Sequence, residues 1–449
     1  MSKKQLYICS NCGLESSAWS GKCFGCNEWN TLEEEVIEVS KSKGSQQSRE
    51  LSTYSINKAL EASPARLKTN MTEIDLVLGG GIVSGGVSLI AGEPGIGKST
   101  LLLQIANNVS VTNNVLYVGG EESAEQISLR AHRLMIDSKQ LQISSSTSVE
   151  DIAATIKSKK YKLVVIDSIQ TMTTAQLTSS AGSVSQITSC THILMNAAKS
   201  ANVALLIVGH VTKEGSIAGP KILEHIVDSV FQLEGDRYGG FKILKSIKNR
   251  FGSTDETAIL EMTDKGMEVV KNPSQALLAE RQIVDGSVVL ATMEGTRPIL
   301  VEVQALVNKT SYGYPKRAAS GIDLNRLNLL VAMLERRTKL NLSDQDIYIN
   351  IIGGLKITEP AADLAVCMAI ASASSGLLLK QNAAVFGEIG LSGEIRSVTN
   401  IEKRISEAKK LGLDAAIGPI KKHSKNQTKD NFYISISDIK SALNTLLKK

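Results

Sequence analysis

The sequence predicts an α/β protein built round a mostly parallel, doubly wound sheet, preceded by a small zinc ribbon and followed by an α+β domain. Three observations carry this expectation. Four of the six cysteines stand in two Cys-x-x-Cys pairs near the N-terminus. Short apolar runs alternate with amphipathic stretches from about residue 63. One of those runs opens into a glycine-rich phosphate-binding motif that leads into a helical segment. At 449 residues the chain exceeds what one hydrophobic core ordinarily serves. The expected division is a four-cysteine finger over 1–32, a flexible linker over 33–60, a nucleotide-binding domain over 61–272 and a further large domain over 273–449.

In the finger, Cys9-Ser-Asn-Cys12 and Cys23-Phe-Gly-Cys26 each fit a knuckle turn that points two thiolates at one tetrahedral Zn²⁺. Gly13 and Gly25 lie where such turns take unusual backbone angles. A segment this small needs a metal to fold, and four sulfur ligands leave no open position, so the ion is structural. The finger's own partner is open at this point between DNA and protein. The acidic run Glu33 to Glu38 and the polar stretch Ser40 to Arg49 have nothing to bury and read as a tether.

Hydrophobic residues make up 42% of the chain and charged residues 21%, the balance of a globular protein, and the net charge of +5 admits a polyanionic partner without requiring one. The N-terminal apolar run is interrupted at Cys9, and later runs are far shorter than the ~20 residues of a membrane span. A cytoplasmic protein with no membrane partner is therefore expected. In a reducing compartment clustered cysteines bind metal rather than form disulfides. Cys190 and Cys367 stand alone and read as buried structural thiols.

In the nucleotide-binding domain, Val87 to Ala91, Val115 to Val118, Leu163 to Asp167 and Val203 to Val208 read as buried strands, with helical periodicity after Lys98 and from Ile187 to Lys199. Gly92, Glu93, Pro94, Gly95, Ile96, Gly97, Lys98, Ser99 and Thr100 form a full P-loop for ATP. Its glycines let backbone amides approach the phosphates, Lys98 reaches the β and γ phosphates, and Ser99 ligates Mg²⁺. Asp167 ends an apolar strand, where it would hold Mg²⁺ through water. Glu121 follows a strand taken to lie beside the P-loop strand and is the preferred general base, with Glu122 the alternative. The plain reading of both is a solvated acidic loop capping the next helix. His210, at a strand end, is either a γ-phosphate sensor or a structural histidine.

After Asn272-Pro273 the pattern becomes β-rich through Val288 to Met293 and Ile299 to Val307, followed by helices over Leu324 to Arg337 and Ala361 to Ala373 and a lysine-containing amphipathic end. Lys309, Lys316, Arg317 and Arg326 surround Tyr312 and Tyr314, a grouping that suits a phosphate backbone or a solvated charged loop.

The four-cysteine finger followed by Glu28-Trp29-Asn30-Thr31-Leu32, the segment Leu78-Gly-Gly-Gly-Ile82 and the motif Lys248-Asn-Arg-Phe-Gly252 together resemble the RadA (Sms) family of bacterial DNA repair proteins along essentially the whole chain. The resemblance implies a RecA-like ATPase core related to ring-shaped helicases. It also implies a hexamer that binds single-stranded and branched DNA and drives branch migration alongside the RecA recombinase. Gly353 to Asp363 and Gly387 to Ile395 resemble the Lon protease domain. The serine and lysine of that protease fall on Asp363 and near Glu402, which cannot act as nucleophile and base, and nothing places a base beside Ser372, Ser374 or Ser375. The Lon protease-like domain is thus expected to be proteolytically inactive. By resemblance Lys213 lies toward bound DNA.

Alternate residues of a strand share a face, so Lys248 and Arg250 are expected to project across a subunit boundary toward a neighbour's γ-phosphate, the plain alternative being DNA or a carboxylate. The expected activity is that of a DNA-dependent ATPase in recombinational repair, with ATP, Mg²⁺ and Zn²⁺ as cofactors. Its rivals are an ATP-dependent Lon-type protease and a nucleotide-switched recombinase adaptor.

Overall fold

A computed structural model describes residues 2–11, 14–16, 18–26, 28–39, 66–210, 221–235, 240–311, 313–421 and 431–447. Cys12, Gly13, Tyr312 and Lys213, named above, lie outside them. The chain divides into two compact units, residues 1–234 with 242–269 and residues 235–241 with 270–449.

The N-terminal ribbon is a three-stranded sheet of β1 (Ser2–Cys9), β2 (Glu15–Ser16) and β3 (Leu32–Val39), in the order β2-β1-β3 with antiparallel pairing throughout. The acidic run expected to begin the linker at residue 33 is instead part of β3. Cys9 pairs with Leu32, and from that anchor the backbone groups of β1 find partners along their whole length, with Lys3 opposite Glu38. Composition alone had suggested a solvated segment; the pairing partner eight residues long overrides it. The rest of the expected linker, from 40, lies outside the described residues.

Next come β4 (Arg66–Leu67), α1 (Thr72–Val77) and β5 (Ile82–Val83), which lead into the central sheet. That sheet contains β6 (Val87–Gly92), β7 (Val115–Gly119), β8 (Leu141–Ser145), β9 (Leu163–Asp167), β10 (Ala204–His210), β11 (Ser229–Gly235), β12 (Phe241–Asn249), β13 (Thr257–Thr263) and β14 (Gly266–Val269). Their order is β14-β13-β12-β11-β6-β10-β9-β7-β8, and every pairing from β11 to β8 is parallel. Leu163 and Val165 join one core, with residues of α2 (Lys98–Ser110), while Val164 and Ile166 join another, with residues of α4 (Val149–Lys157) and α5 (Val184–Ala201). Helix α3 (Ala124–Arg133) connects β7 to β8. Burial on both faces is why the strand reads as an unbroken apolar run. This is the doubly wound fold the sequence predicts.

Two expectations change. The strand preceding Glu121 is β7, and β10 and β9 stand between it and the P-loop strand β6, so the two are not neighbours. The strands β11 to β14 extend the sheet on the other side of β6, where the sequence reading had named only the strand that carries Lys248. A short helix, α6 (Lys221–Ile226), precedes β11.

The two glycine motifs that carried the family resemblance touch each other. Gly79 takes φ +78°, and a Cβ there would stand 3.0 Å from Gly252 Cα; one on Gly252 would stand 2.6 Å from Gly79 Cα. Arg66 donates to Phe251 O at 2.9 Å beside them.

The second unit begins with α7 (Pro273–Leu278), capped by the Asn272 side chain. Its seven-stranded sheet has the order β17-β18-β16-β15-β19-β22-β23, formed by β15 (Ser287–Glu294), β16 (Arg297–Lys309), β17 (Arg317–Ser320), β18 (Gln345–Ile351), β19 (Ala383–Val385), β22 (Ala415–Pro419) and β23 (Tyr433–Ile436). A small ladder of β20 (Glu388–Ile389) and β21 (Ile395–Arg396) stands apart from it. The helices are α8 (Leu324–Arg337), α9 (Asp363–Ser375), α10 (Ile401–Lys410) and α11 (Ile439–Leu446). Two ion pairs, each with one buried partner, brace this unit. Arg404, fully buried, reaches Glu359 and donates to Ala291 O at 2.6 Å. Arg326 clasps Asp363, whose second contact is the Ile389 N–H at 3.1 Å.

Removing Arg404 leaves the carbonyls of Ala291 and Thr399 without their buried donor and the Glu359 carboxylate with only the Thr292 hydroxyl and the Met293 N–H, so Arg404→Ala is expected to destabilise this unit by about 3 kcal/mol, whereas Arg396→Ala, at a pair open to solvent, should change its stability little. Thermal unfolding of the two variants checks it: equal midpoints would contradict the assignment.

Candidate nucleotide site and metal centre

In a parallel sheet the carboxyl ends of the strands face one way, and ligands gather there. Backbone register aligns these ends here: His210 pairs with Gly92, and Gly119 with Asp167. One edge of the sheet therefore carries the P-loop after β6, His210 on β10, Asp167 on β9 and Glu121 just past β7.

The P-loop bends as its glycines require. Gly95 and Gly97 take φ of +80° and +109°, and a Cβ on Gly92 would stand 2.6 Å from Leu233 O. Lys98 is 4% exposed, and its ammonium donates to Gly92 O at 2.8 Å and Glu93 O at 2.9 Å and meets His210 Nδ1 at 3.1 Å. That ammonium is held against the loop, whose amide groups and following helix N-terminus favour an anion. These residues fit a bound triphosphate.

The Asp167 carboxylate accepts a 2.5 Å hydrogen bond from the Tyr117 hydroxyl, which also bonds Ser99. Burial first, and then the charge of Asp167, push the Tyr117 pKa well above its ordinary value, so the phenol keeps its proton and donates. One hydroxyl thus gathers Ser99 and Asp167, a hydroxyl and a carboxylate suited to Mg²⁺. Tyr117 was not singled out from the sequence; the only trace was a tyrosine in the middle of an otherwise aliphatic run.

Glu121 and Glu122, adjacent in sequence, face different partners. Glu121 Oε1 accepts from the Ser168 hydroxyl at 2.6 Å and lies 3.5 Å from His210 Nε2, on the P-loop side. Glu122 pairs with Arg130 of α3. Burial, followed by the nearby Lys98 charge, lowers the His210 pKa. A neutral imidazole that accepts from Lys98 at Nδ1 carries its proton on Nε2, toward Glu121. His210 therefore connects the phosphate-binding lysine to the candidate base, although their strands are not adjacent.

Lys248 and Arg250 lie elsewhere. Asn249 accepts from the Ser229 hydroxyl at 3.0 Å, and Ser229 pairs with Ser88 near the start of β6, so this motif stands at the opposite end of the sheet, about 13 Å along the strand from Gly92. Lys248 Nζ donates to Glu224 O and to Val227 O, the latter at 2.8 Å, and Arg250 pairs at 3.2 Å with the buried Asp228. The expected free projection from one strand face is corrected to this extent: β12 ends at Asn249, and within the subunit both cations are held.

At the N-terminus, the thiols of Cys9, Cys23 and Cys26 lie within 4.8 Å of one another, with Cys9 and Cys23 buried. Gly25 N–H donates to Cys23 Sγ at 3.3 Å, as amides of a knuckle turn do toward a thiolate. Three converging sulfurs of this kind fit Zn²⁺.

In the second unit, Asp363 is locked to Arg326, and Glu402 pairs at the surface with Lys421. The hydroxyls of Ser372, Ser374 and Ser375 donate to Leu377 O, Gln345 Oε1 and Ala371 O. None of these partners is a base. Arg326, expected in the basic strip, is withdrawn from it by its ion pair, whereas Tyr314 is exposed.

Family models match three segments: one described as the AAA domain over residues 55–216, one as the Rubredoxin metal binding domain over 7–34, and one as Subunit ChlI of Mg-chelatase over 328–422. Proteins named DNA repair protein RadA are similar over nearly the whole chain. That of Bacillus subtilis (strain 168) is 48% identical over 93% of this chain and 92% of its own. That of Listeria monocytogenes is 48% identical over 91% and 90%, and that of Pseudomonas aeruginosa 42% identical over 99% of each. A solved RadB recombinase aligns with 46% of this chain and 100% of its own at 21% identity and a TM-score of 0.38.

The different surroundings of the two glutamates lead to a separable outcome. Glu121→Gln is expected to retain ATP binding and lose hydrolysis at least about a hundredfold, while Glu122→Gln keeps most of its turnover and Lys98→Ala loses tight binding. Nucleotide binding and phosphate release measured on the three variants decide it, and normal turnover by Glu121→Gln would remove Glu121 as base. For the ribbon, Cys9→Ala or Cys26→Ala should release the metal and leave the ATPase unit folded. Metal analysis beside circular dichroism reads both, and unchanged zinc would contradict the site.

Proposed function

The chain belongs to the RadA family of DNA repair proteins, and from that premise we propose that it is a DNA-dependent ATPase that works as a ring on single-stranded and branched DNA, driving branch migration of recombination intermediates. The observation that carries this reading is the gathering of Lys98, Ser99, Asp167 and Glu121 at one edge of a parallel sheet. Magnesium ATP supplies the transferable phosphoryl group and the charge that offsets its negative oxygens. Lys98 and the loop amides would hold the phosphates, Ser99 would ligate the metal, and Asp167 would hold it through water. Glu121, oriented by the Ser168 hydroxyl and faced by His210 Nε2, takes the proton of the attacking water.

In this reading the ribbon holds structural Zn²⁺, the RecA recombinase is a partner, and the assembly is a hexamer. Lys309, Lys316 and Arg317 are candidate phosphate contacts in the second unit, with Arg326 left out because Asp363 holds it. The rival protease reading is opposed by the serine environments described above.

Lys248 and Arg250 cannot serve their own nucleotide from the far end of β6, so any action on phosphate is across a subunit boundary, after Lys248 leaves the carbonyls of Glu224 and Val227. The experiment mixes Lys248→Ala subunits with Lys98→Ala subunits, each inactive alone. Interfaces that join an intact P-loop to an intact Lys248 should recover ATPase activity as the ratio varies. No recovery in rings shown to be mixed would confine Lys248 to its own subunit, and failure of the wild type to migrate a junction would leave an adaptor role in place of a motor.

A further inference from the structure

Strand β7 carries one polar side chain, Tyr117, and it is fully buried. Its ring lies in the core shared with Leu101 and Leu102 of α2 and Val165 of β9, where a phenylalanine would fill nearly the same space. A phenol hydroxyl taken out of water is costly unless it is hydrogen-bonded, so its partners say what it is there for.

Those partners fix the direction of the hydrogen bonds. The hydroxyl donates to Asp167 Oδ2 at 2.5 Å. A phenol has a single proton, so in its bond to Ser99 the serine hydroxyl donates and the phenol oxygen accepts. The chain of bonds runs from Ser99 through Tyr117 to Asp167. It reaches both residues from the buried side, while Ser99 and Asp167 are themselves partly exposed. With its proton committed to Tyr117, the Ser99 oxygen keeps its lone pairs for a cation, and Asp167, held through Oδ2, has Oδ1 for a metal-bound water.

We propose that Tyr117 is a positioning residue for the Mg²⁺ of the nucleotide: its phenol accepts the Ser99 hydrogen bond and donates its own to Asp167, so that both metal-holding groups offer oxygen lone pairs to the cation. The inference rests on the ATPase reading above. A purely structural role, pinning β7 to β9 through Asp167, needs only one of the two bonds. The bond to Ser99, on α2, is the one that ties the phenol to the metal.

The test compares Tyr117→Phe with Tyr161→Phe in the full-length, zinc-loaded protein. Tyr161 is a second buried tyrosine of the same unit, and its hydroxyl donates to Gln142. Binding of a fluorescent, non-hydrolysable ATP analogue is measured without Mg²⁺ and across a Mg²⁺ titration, and thermal unfolding without nucleotide follows stability. Without Mg²⁺, Tyr117→Phe should bind the analogue as the wild type does. It should need at least about tenfold more Mg²⁺ for half of the metal-dependent gain in affinity, the loss expected when a group that orients a metal ligand is removed. Hydrolysis should shift to the same higher Mg²⁺ range. Tyr161→Phe should lower the unfolding temperature and leave the Mg²⁺ requirement where it was. Tyr117→Met, which fills the space without a hydroxyl, carries the same expectation should the phenylalanine variant not fold. A wild-type Mg²⁺ dependence in folded Tyr117→Phe would overturn the assignment. So would an equal shift in Tyr161→Phe, which would trace the effect to lost stability. If Lys98→Ala still loses binding in either case, the role of Tyr117 alone fails; if wild-type binding depends on neither Mg²⁺ nor Lys98, the ATPase reading fails with it.

Discussion

The P-loop strand is held at its start by a buried carboxylate, and much of the ATPase unit depends on that contact. Asp228 Oδ2 accepts the Val87 N–H at 3.1 Å, the first amide of β6, while its Oδ1 meets Lys199 at 3.3 Å and Arg250 at 3.2 Å. A buried carboxylate is costly unless cations and donors surround it, and here an α5 lysine, the arginine after β12 and the backbone of β6 all converge on it. The register of β6 with β10 and β11 follows from where it begins. That register sets His210 beside Gly92 and brings the Lys98 ammonium to the imidazole.

The central sheet was legible because burial on both faces leaves a plain mark: Leu163 to Ile166 is apolar at every position, and a carboxylate ends the run. The P-loop was legible because phosphate binding needs glycines and a lysine at fixed spacing. What was not legible is lateral order. Nothing in Val115 to Val118 tells that two strands intervene between it and β6, since strand order is decided by the crossover helices and not by the strand's own residues. Tyr117 and Ser168 escaped notice for a related reason. A tyrosine in a strand and a serine after an aspartate are ordinary until the sheet sets one between Ser99 and Asp167 and turns the other toward Glu121.

The second unit shows how the position that the protease resemblance gives to a nucleophile is occupied by a carboxylate with structural partners. Asp363, where the protease resemblance would have a nucleophile, is buried and satisfied by Arg326 and the Ile389 amide. A carboxylate so placed fixes the start of α9 against α8 and the β20 ladder, and its charge is neutralised within the fold. The unit keeps the architecture while its polar interior serves cohesion. The acidic run of the ribbon teaches the converse: residues 33–38 look like solvent-exposed linker by composition, yet a partner strand anchored at a metal site is enough to order their backbone.

The motifs that single out the family differ in kind from those that do chemistry. P-loops occur in many folds because the ligand dictates them. Leu78 to Ile82 and Lys248 to Gly252 are two sides of one contact, where Gly79 and Gly252 approach so closely that neither tolerates a Cβ. Lys248 closes the end of α6 and Arg250 balances Asp228 beside the same contact. Such a pair of segments, far apart in sequence and fitted to each other, encodes this fold's own packing and is therefore more diagnostic than the catalytic loop. It also follows that a cation in that motif already has structural work within its subunit, so any role it has across a ring interface must be won against contacts that hold it in place.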